Sequence, residues 1–451
     1  MKINKTSDDR LMTRDKWPVT GDRFRLTLLP LFIAISILSE PGVRAQTQRT
    51  PILGADLTFA DFPHPLIAGW EDKERGDEMA EAFKAGGLRT LRFNFSGIYS
   101  PRGPKATAKI KAENKTTNEY PWFPFDQYVE FISSHDLTTV VGINVEEGPD
   151  VAEEVVRAFT NNRRARKKLV AVELSNEPHL NYRPWLPEEY AARAADIILR
   201  LTPIGVRFAL PLTVGKERNT PTKLSDDEWN SRMLRALAGR IDLRNRTDIY
   251  GVLHLYSGGV RARSIDFFNK AVRPFAPKMR YLVTEFNIRS GLEGNQQLTN
   301  SYAMEFARKL AELMAEPDIE AMYVHSVPYH SIMYWANGKR IATVSGQHDS
   351  RLSGDDLSRG WHQTPAGKVY RLYSELAWNG EIVAYGGSDK QRYWAVRGAN
   401  GRVVVTLLND SGRSARKKLK IDGRELVLNA PSHSIVCFSA VGPEIERLIL
   451  N

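Results

Sequence analysis

From residue 52 to residue 377 the chain alternates eight times between short apolar runs and longer stretches with apolar residues at helical spacing. No other feature of the sequence narrows its fold so far. The stretch "ILGADLTF" (52–59) has the pattern of a buried strand, and 70–87, ending in Gly86 and Gly87, that of a helix with a glycine stop. Further strands are expected at 88–95, 137–145, within 168–180, and at 206–214, 249–258, 280–288 and 319–327. Helices are expected at 124–135, 149–162, 187–201, 227–240, 264–275, 295–316 and 364–377, the last after a long loop. Eight such pairs predict a closed (β/α)8 barrel over 46–378. A doubly wound open sheet would carry a glycine-rich phosphate turn after its first strand, and none is present. After residue 378 short alternating runs separated by Gly, Asn and Asp predict a C-terminal antiparallel β-sandwich over 379–451, with 46–51 a candidate extra strand for it.

Composition removes several function classes. Formal net charge is +10, but the basic residues are dispersed. The densest run, "NNRRARKKL" (161–169), falls between a helix and a strand and has the pattern of a solvated loop, so no nucleic-acid partner is expected. The single cysteine, Cys437, excludes an intrachain disulfide. No HExxH, HxH or CxxC spacing occurs, so no metal or other cofactor is expected. Near the start, the uncharged run "LTLLPLFIAISIL" (26–38) follows Arg23 and Arg25 and precedes "VRAQ". It is short for a bilayer span. Residues 1–45 are therefore expected to be an export leader cleaved after Ala45, leaving a secreted or periplasmic protein without an integral membrane span.

A barrel of this kind places its site at the C-terminal ends of its strands. Those ends carry Arg92 and Asn94 on the second strand, Asn176 and Glu177 on the fourth, and His254 and Tyr256 on the sixth. The seventh carries Glu285 and Asn287, and the eighth His325. Strand alternation puts Glu173, Ser175 and Glu177 on one face of the fourth strand. It also puts Val283 with Glu285 on one face of the seventh, opposite Leu282, Thr284 and Phe286. Glu177 and Glu285 are then expected to meet at the barrel mouth, where a carboxyl pair suits glycoside hydrolysis. Glu173, set deeper, is expected to be a buried partner for Arg92.

These residues also resemble known motifs. "VELSNEPHL" is similar to the acid/base motif of clan A glycoside hydrolases, "YLVTEFN" to their nucleophile strand, and "KAGGLRTLRFNF" to their second strand. With the C-terminal sandwich, the chain looks most like the heparanase/β-glucuronidase family (family 79) or its neighbours, families 39, 44 and 51. The resemblance implies a retaining glycosidase without cofactor, acting on a carbohydrate that could be a β-glucuronide. Glu177 would be acid/base and Glu285 nucleophile. Arg92, Asn176, His254, Tyr256 and Trp335 would serve the sugar site, Arg92 by keeping Glu285 ionised and Asn176 by bonding a sugar 2-hydroxyl. Ser175 departs from the glycine of many relatives. A carbohydrate-binding protein without turnover, a transglycosylase using the same residues and a metal-dependent hydrolase are the alternatives.

Overall fold

The computed structural model describes residues 48–57, 73–94, 102, 125–180, 185–213, 223–257, 263–288, 298–325, 332–338, 340–341, 357–377, 380–421, 423–441 and 444–450. The expected leader lies outside them. Eight parallel strands close a barrel in chain order: β2 (Ile52–Leu57), β3 (Thr90–Asn94), β4 (Thr138–Ile143), β5 (Leu169–Leu174), β6 (Phe208–Pro211), β7 (Ile249–Tyr256), β8 (Tyr281–Asn287) and β9 (Ile319–Val324). Eight helices alternate with them among the described residues. These are α1 (Lys73–Ala85), α2 (Phe125–Ser134), α3 (Gly148–Thr160), α4 (Pro187–Leu201), α5 (Asp226–Ala238), α6 (Ile265–Val272), α7 (Asn300–Met314) and α8 (Pro365–Ala377). Among the described residues no helix is long and apolar enough to cross a membrane.

The helices form where local chemistry starts and sides them. Ser225 and Thr299 each accept a backbone N–H from three residues on, at 3.2 Å, satisfying donors that the first turns of α5 and α7 leave open. On α4, Tyr190, Ala191, Ala194, Ile197, Ile198 and Leu201 recur at helical spacing and are all buried. They pack on outward strand residues such as Val172 and Leu174 in one continuous core.

Inside the barrel the lining changes with height. Its lower part is apolar, with Val140, Ala171, Ala209, Tyr250, Val252, Leu282, Ala321 and Tyr323 in one cluster. The upper part, one step further along the same strands, carries Asp56, Arg92, Glu173, His254 and Glu285, all buried. This layering positions the site.

Beyond the barrel lie antiparallel sheets. A six-stranded sheet runs β1 (Gln48–Arg49), β13 (Glu381–Gly387), β14 (Gln391–Arg397), β15 (Val403–Asn409), β18 (Ser434–Val441) and β19 (Glu444–Leu450). The hairpin β16 (Ala415–Ile421) with β17 (Arg424–Ala430) packs on one face, against Tyr393, Val405 and Phe438. Their sequence neighbours Trp394, Val404 and Cys437 turn the other way and join the barrel core. There Tyr373 of α8 hydrogen-bonds Thr406. The candidate strand before the barrel is present: Gln48 pairs Ile382 and Arg49 pairs Glu381.

Two elements differ from expectation. The stretch after β9, expected as a loop, holds a three-stranded sheet of β10 (Met333–Gly338), β11 (Arg340–Ile341) and β12 (Leu357–Gln363). Strand β12 is distant in sequence from β10, so no hairpin signal marks their pairing, whereas β10 and β11 pair directly across an Asn-Gly turn signal at 337–338. The terminal strand β19 was also unforeseen, and it completes the edge beside β18.

Candidate active site

The floor of the site is a single guanidinium. Arg92 is fully buried and spends all five of its N–H donors on protein acceptors. Nε and Nη2 donate to the two oxygens of Glu173 at 2.8 and 2.5 Å, and Nη2 also donates to Asn176 Oδ1 at 2.6 Å. Nη1 donates to Asp56 Oδ1 at 3.0 Å and to Glu285 Oε1 at 2.8 Å. Burial alone would lower the Arg92 pKa, but Glu173, Asp56 and Glu285 hold it well above the ordinary arginine value. The same burial raises the Glu173 carboxyl, against the pull of Arg92. Glu173 is thus the buried partner expected from the sequence. Arg92 keeps no donor for a ligand, so it supports the site from beneath and does not touch what the site binds.

Glu177 and Glu285 reach the mouth by different backbone routes. Strand β5 stops at Leu174, and Ser175 (φ 72°) and Glu177 (φ 40°) both adopt left-handed conformations that non-glycine residues rarely enter. Ser175 is held there because its Oγ accepts the Val145 N–H at 3.1 Å and its own N–H donates to Ile143 O at 2.9 Å. Beyond Leu174 strand alternation no longer applies, so Glu177 is aimed by this turn.

On β8 the expected parity is wrong. Leu282, not Val283, faces the barrel interior, while Val283 packs outward. The register with β7 then skips from Leu253↔Val283 to His254↔Glu285, leaving Thr284 as a bulge. That extra residue resets the alternation and turns Glu285 inward.

The two carboxyls converge. Together with a ring nitrogen of His254, one oxygen of Glu177 and one of Glu285 lie within 4.8 Å of one another. His254 Nδ1 is 2.9 Å from Glu177 Oε1 and 3.3 Å from Glu285 Oε2, while its Nε2 is 3.1 Å from Thr284 Oγ1. With Thr284 donating to Nε2, Nδ1 carries the proton and bridges the carboxylates. Tyr256 donates to Glu285 Oε2 at 3.0 Å. Asn176 gives its carboxamide oxygen to Arg92, which leaves its NH2 group as the donor for a ligand.

Of the expected residues, Glu177, Glu285, Arg92, Asn176, His254 and Tyr256 meet at this mouth. Trp335 lies on β10, but its side chain is outside the described residues. Tyr334 stacks on His362 and Trp361 packs against Phe83 of α1, so both are taken up by local packing. Sequence reasoning missed Asp56 and Thr284. Asp56 shares its carboxylate between Arg92 and His325 Nδ1, the latter at 2.7 Å. The period-two series Ile52, Gly54, Asp56 would have marked it as a charge entering the barrel interior.

Two sets of donor atoms each gather within 4.8 Å, Asp56–Glu285–His325 and Glu177–His254–Glu285. Either could approach a cation, yet both share Glu285, whose Oε1 lies on Arg92. A second positive charge there would face the buried guanidinium.

A closed (β/α)8 barrel with facing glutamates at the ends of its fourth and seventh strands defines the class to which the architecture belongs. No protein-family model and no curated protein sequence matches the chain. Solved structures share its fold. A GH30 endoxylanase from Clostridium papyrosolvens is 12% identical, with 88% of this chain and 98% of that one covered, at a TM-score of 0.52. The GH51 arabinofuranosidase from Xanthomonas axonopodis pv. citri is 14% identical, with coverage of 88% and 97% and a TM-score of 0.56. An endo-beta1,6-glucanase is 14% identical, with coverage of 87% and 90% and a TM-score of 0.56. At these identities the likeness is one of fold.

Proposed function

We propose that the chain is a retaining glycoside hydrolase of clan A, cleaving O-glycosidic bonds of an oligo- or polysaccharide by double displacement. The observation that carries this reading is that one carboxyl oxygen of Glu177 and one of Glu285 lie within 4.8 Å of each other, both beside His254 Nδ1. Retaining pairs lie about 5–5.5 Å apart, and inverting pairs leave room for a water at about 6.5–9.5 Å. Glu285, fixed by Arg92 and Tyr256, attacks the anomeric carbon while Glu177 gives its proton to the leaving oxygen. The glycosyl ester on Glu285 is then opened by a water whose proton returns to Glu177. The folds of the endoxylanase, the arabinofuranosidase and the glucanase agree with such chemistry.

A neutral sugar suits the site better than a uronate. Asp56, Glu173 and Glu285 crowd one guanidinium, which with Asn176 has no donor left for a sugar carboxylate. A β-glucuronide is the alternative that the sequence resemblance carries. The test is a panel of nitrophenyl glycosides, including the β-glucuronide, with NMR of the first-formed anomer. Retained configuration and activity unchanged by a chelator are expected, with neutral glycosides cleaved faster than the glucuronide. An inverted product sinks the mechanism. Saccharide binding with no turnover indicates a binding protein, and transfer to added sugar in preference to water indicates a transglycosylase. Export is part of the same reading: the mature secreted chain should begin at Gln46, and an intact Met1 on it would refute the leader.

A further inference from the structure

One lumen-facing side chain at the mouth carries a buried donor with no acceptor among the described residues. Asn144 follows the last residue of β4 and keeps extended backbone (φ −89°, ψ 112°), so strand alternation continues through it. Val140 lies in the interior cluster, whereas Val141, Ile143 and Val145 pack outward. Val140, Gly142 and Asn144 therefore share the face that looks into the barrel. Gly142 pairs with Asn94 of β3 on one side and with Glu173 of β5 on the other. Asn144 is thus one layer above the Arg92–Glu173 fork, on the strand between those that carry Arg92 and Glu177.

Its carboxamide is only half used. Oδ1 accepts the Glu146 N–H at 3.1 Å, capping the short turn that leads into α3. That bond fixes the amide's orientation, since the flipped amide would set a donor against a donor. Asn144 is 4% exposed, and its Nδ2 is buried with no hydrogen-bond partner among the described residues. Buried amide donors are seldom left so, and those that are call for an absent ligand or water.

Resting on the glycosidase reading, we propose that Asn144 is a specificity-determining residue whose Nδ2 donates, directly or through one water, to a hydroxyl oxygen of the sugar in the site. A turn that held Asn only as a cap would need its oxygen alone, and Asp or Ser would serve there. The amide adds a donor directed into the barrel, where an alcohol oxygen can accept it. Asn144 reaches the sugar from the Arg92 side, and His254 and Tyr256 approach it from β7.

The substitution Asn144→Asp keeps the capping oxygen and removes the donor, while Asn144→Ala removes both. Wild type and both variants are compared on the best nitrophenyl glycoside of the panel and on its monodeoxy analogues. Asn144→Asp is expected to lower kcat/KM by about tenfold on the parent, with a melting temperature within a few degrees of wild type. On one deoxy analogue, which identifies the hydroxyl read, the gap between wild type and Asn144→Asp should close. Equal kcat/KM on the parent, or the same loss on every analogue, overturns the assignment and leaves the glycosidase intact. Wild-type protein that cleaves nothing in the panel overturns both.

Discussion

Strands β5 and β8 lie three positions apart in the barrel, and each delivers one glutamate to the same small volume. Their ends are otherwise unlike. Strand β5 gives up strand geometry and passes through two left-handed residues, and Glu177 emerges with 18% of its side chain exposed. Strand β8 continues to Asn287, absorbs Thr284 as a bulge, and keeps Glu285 at 6% exposure under Arg92 and Tyr256. The difference follows the proposed division of labour. A group that gives and takes protons needs contact with a leaving group and then with water. A nucleophile needs a fixed, ionised carboxylate, which two donors supply. Strain is spent on the first and hydrogen bonds on the second.

The largest effect should come from removing each carboxylate in turn, and the two losses should differ in kind. Glu285→Gln is expected to lose on the order of 10⁴-fold or more in kcat on every substrate, since no ester can form. Glu177→Gln is expected to lose about 10²–10⁴-fold on alkyl or sugar leaving groups. On a dinitrophenyl glycoside, whose leaving group departs without protonation, its first step should survive and show a burst. Stopped-flow release of dinitrophenol distinguishes them. Bursts from both variants, or from neither, would show that the contrast between the two strand ends has no chemical meaning.

Next in size is the guanidinium that joins the strands, bonded to Glu173 on β5 and Glu285 on β8. Arg92→Met takes the buried guanidinium charge away from Asp56, Glu173 and Glu285 and should cost about 3–5 kcal/mol of folding free energy. Arg92→Lys restores the charge but cannot make five bonds, so it should recover part of the stability and little of the activity. Urea denaturation beside kcat measures both. Smaller again, Thr284→Val removes the Oγ1 contact to His254 and should cost about 1 kcal/mol in transition-state stabilisation, seen as a several-fold fall in kcat/KM. An unchanged kcat/KM in that variant would show that the bulge aims Glu285 and that the Thr284 hydroxyl does not act through His254.

These two strand ends also mark where the sequence could be read and where it could not. Apolar periodicity located each described barrel strand and each of the eight described helices, because each must bury a face or a stripe on its neighbours. The glutamates were legible as charges ending apolar runs. The parity argument that pointed them inward was sound for Glu173, which still lies on regular strand, and failed at Leu282 and Val283. A bulge costs the sequence one ordinary residue, here a threonine with good strand propensity, so period-two pairing is broken without a local signal. Asp56 was overlooked for another reason. Its partners Arg92 and His325 are distant in sequence, and only barrel closure brings them together.

The smallest expected effect tests whether the β5 turn stores strain. Ser175 adopts φ 72°, a conformation that suits glycine, and its Oγ bond to Val145 N–H holds it there. The strain of a left-handed non-glycine residue is roughly 1 kcal/mol, and a buried hydrogen bond contributes about the same. Ser175→Gly removes both and should leave stability nearly unchanged. Ser175→Ala keeps the strain and loses the bond, so it should be less stable by about 1 kcal/mol or more. If both variants lose equally by urea denaturation, the turn carries no strain and the hydroxyl alone sets its shape. If the glycine variant gains more than about 1 kcal/mol, the hydroxyl contributes nothing and Glu177 is aimed by the strained backbone of β5's end, as the bulge of β8 aims Glu285.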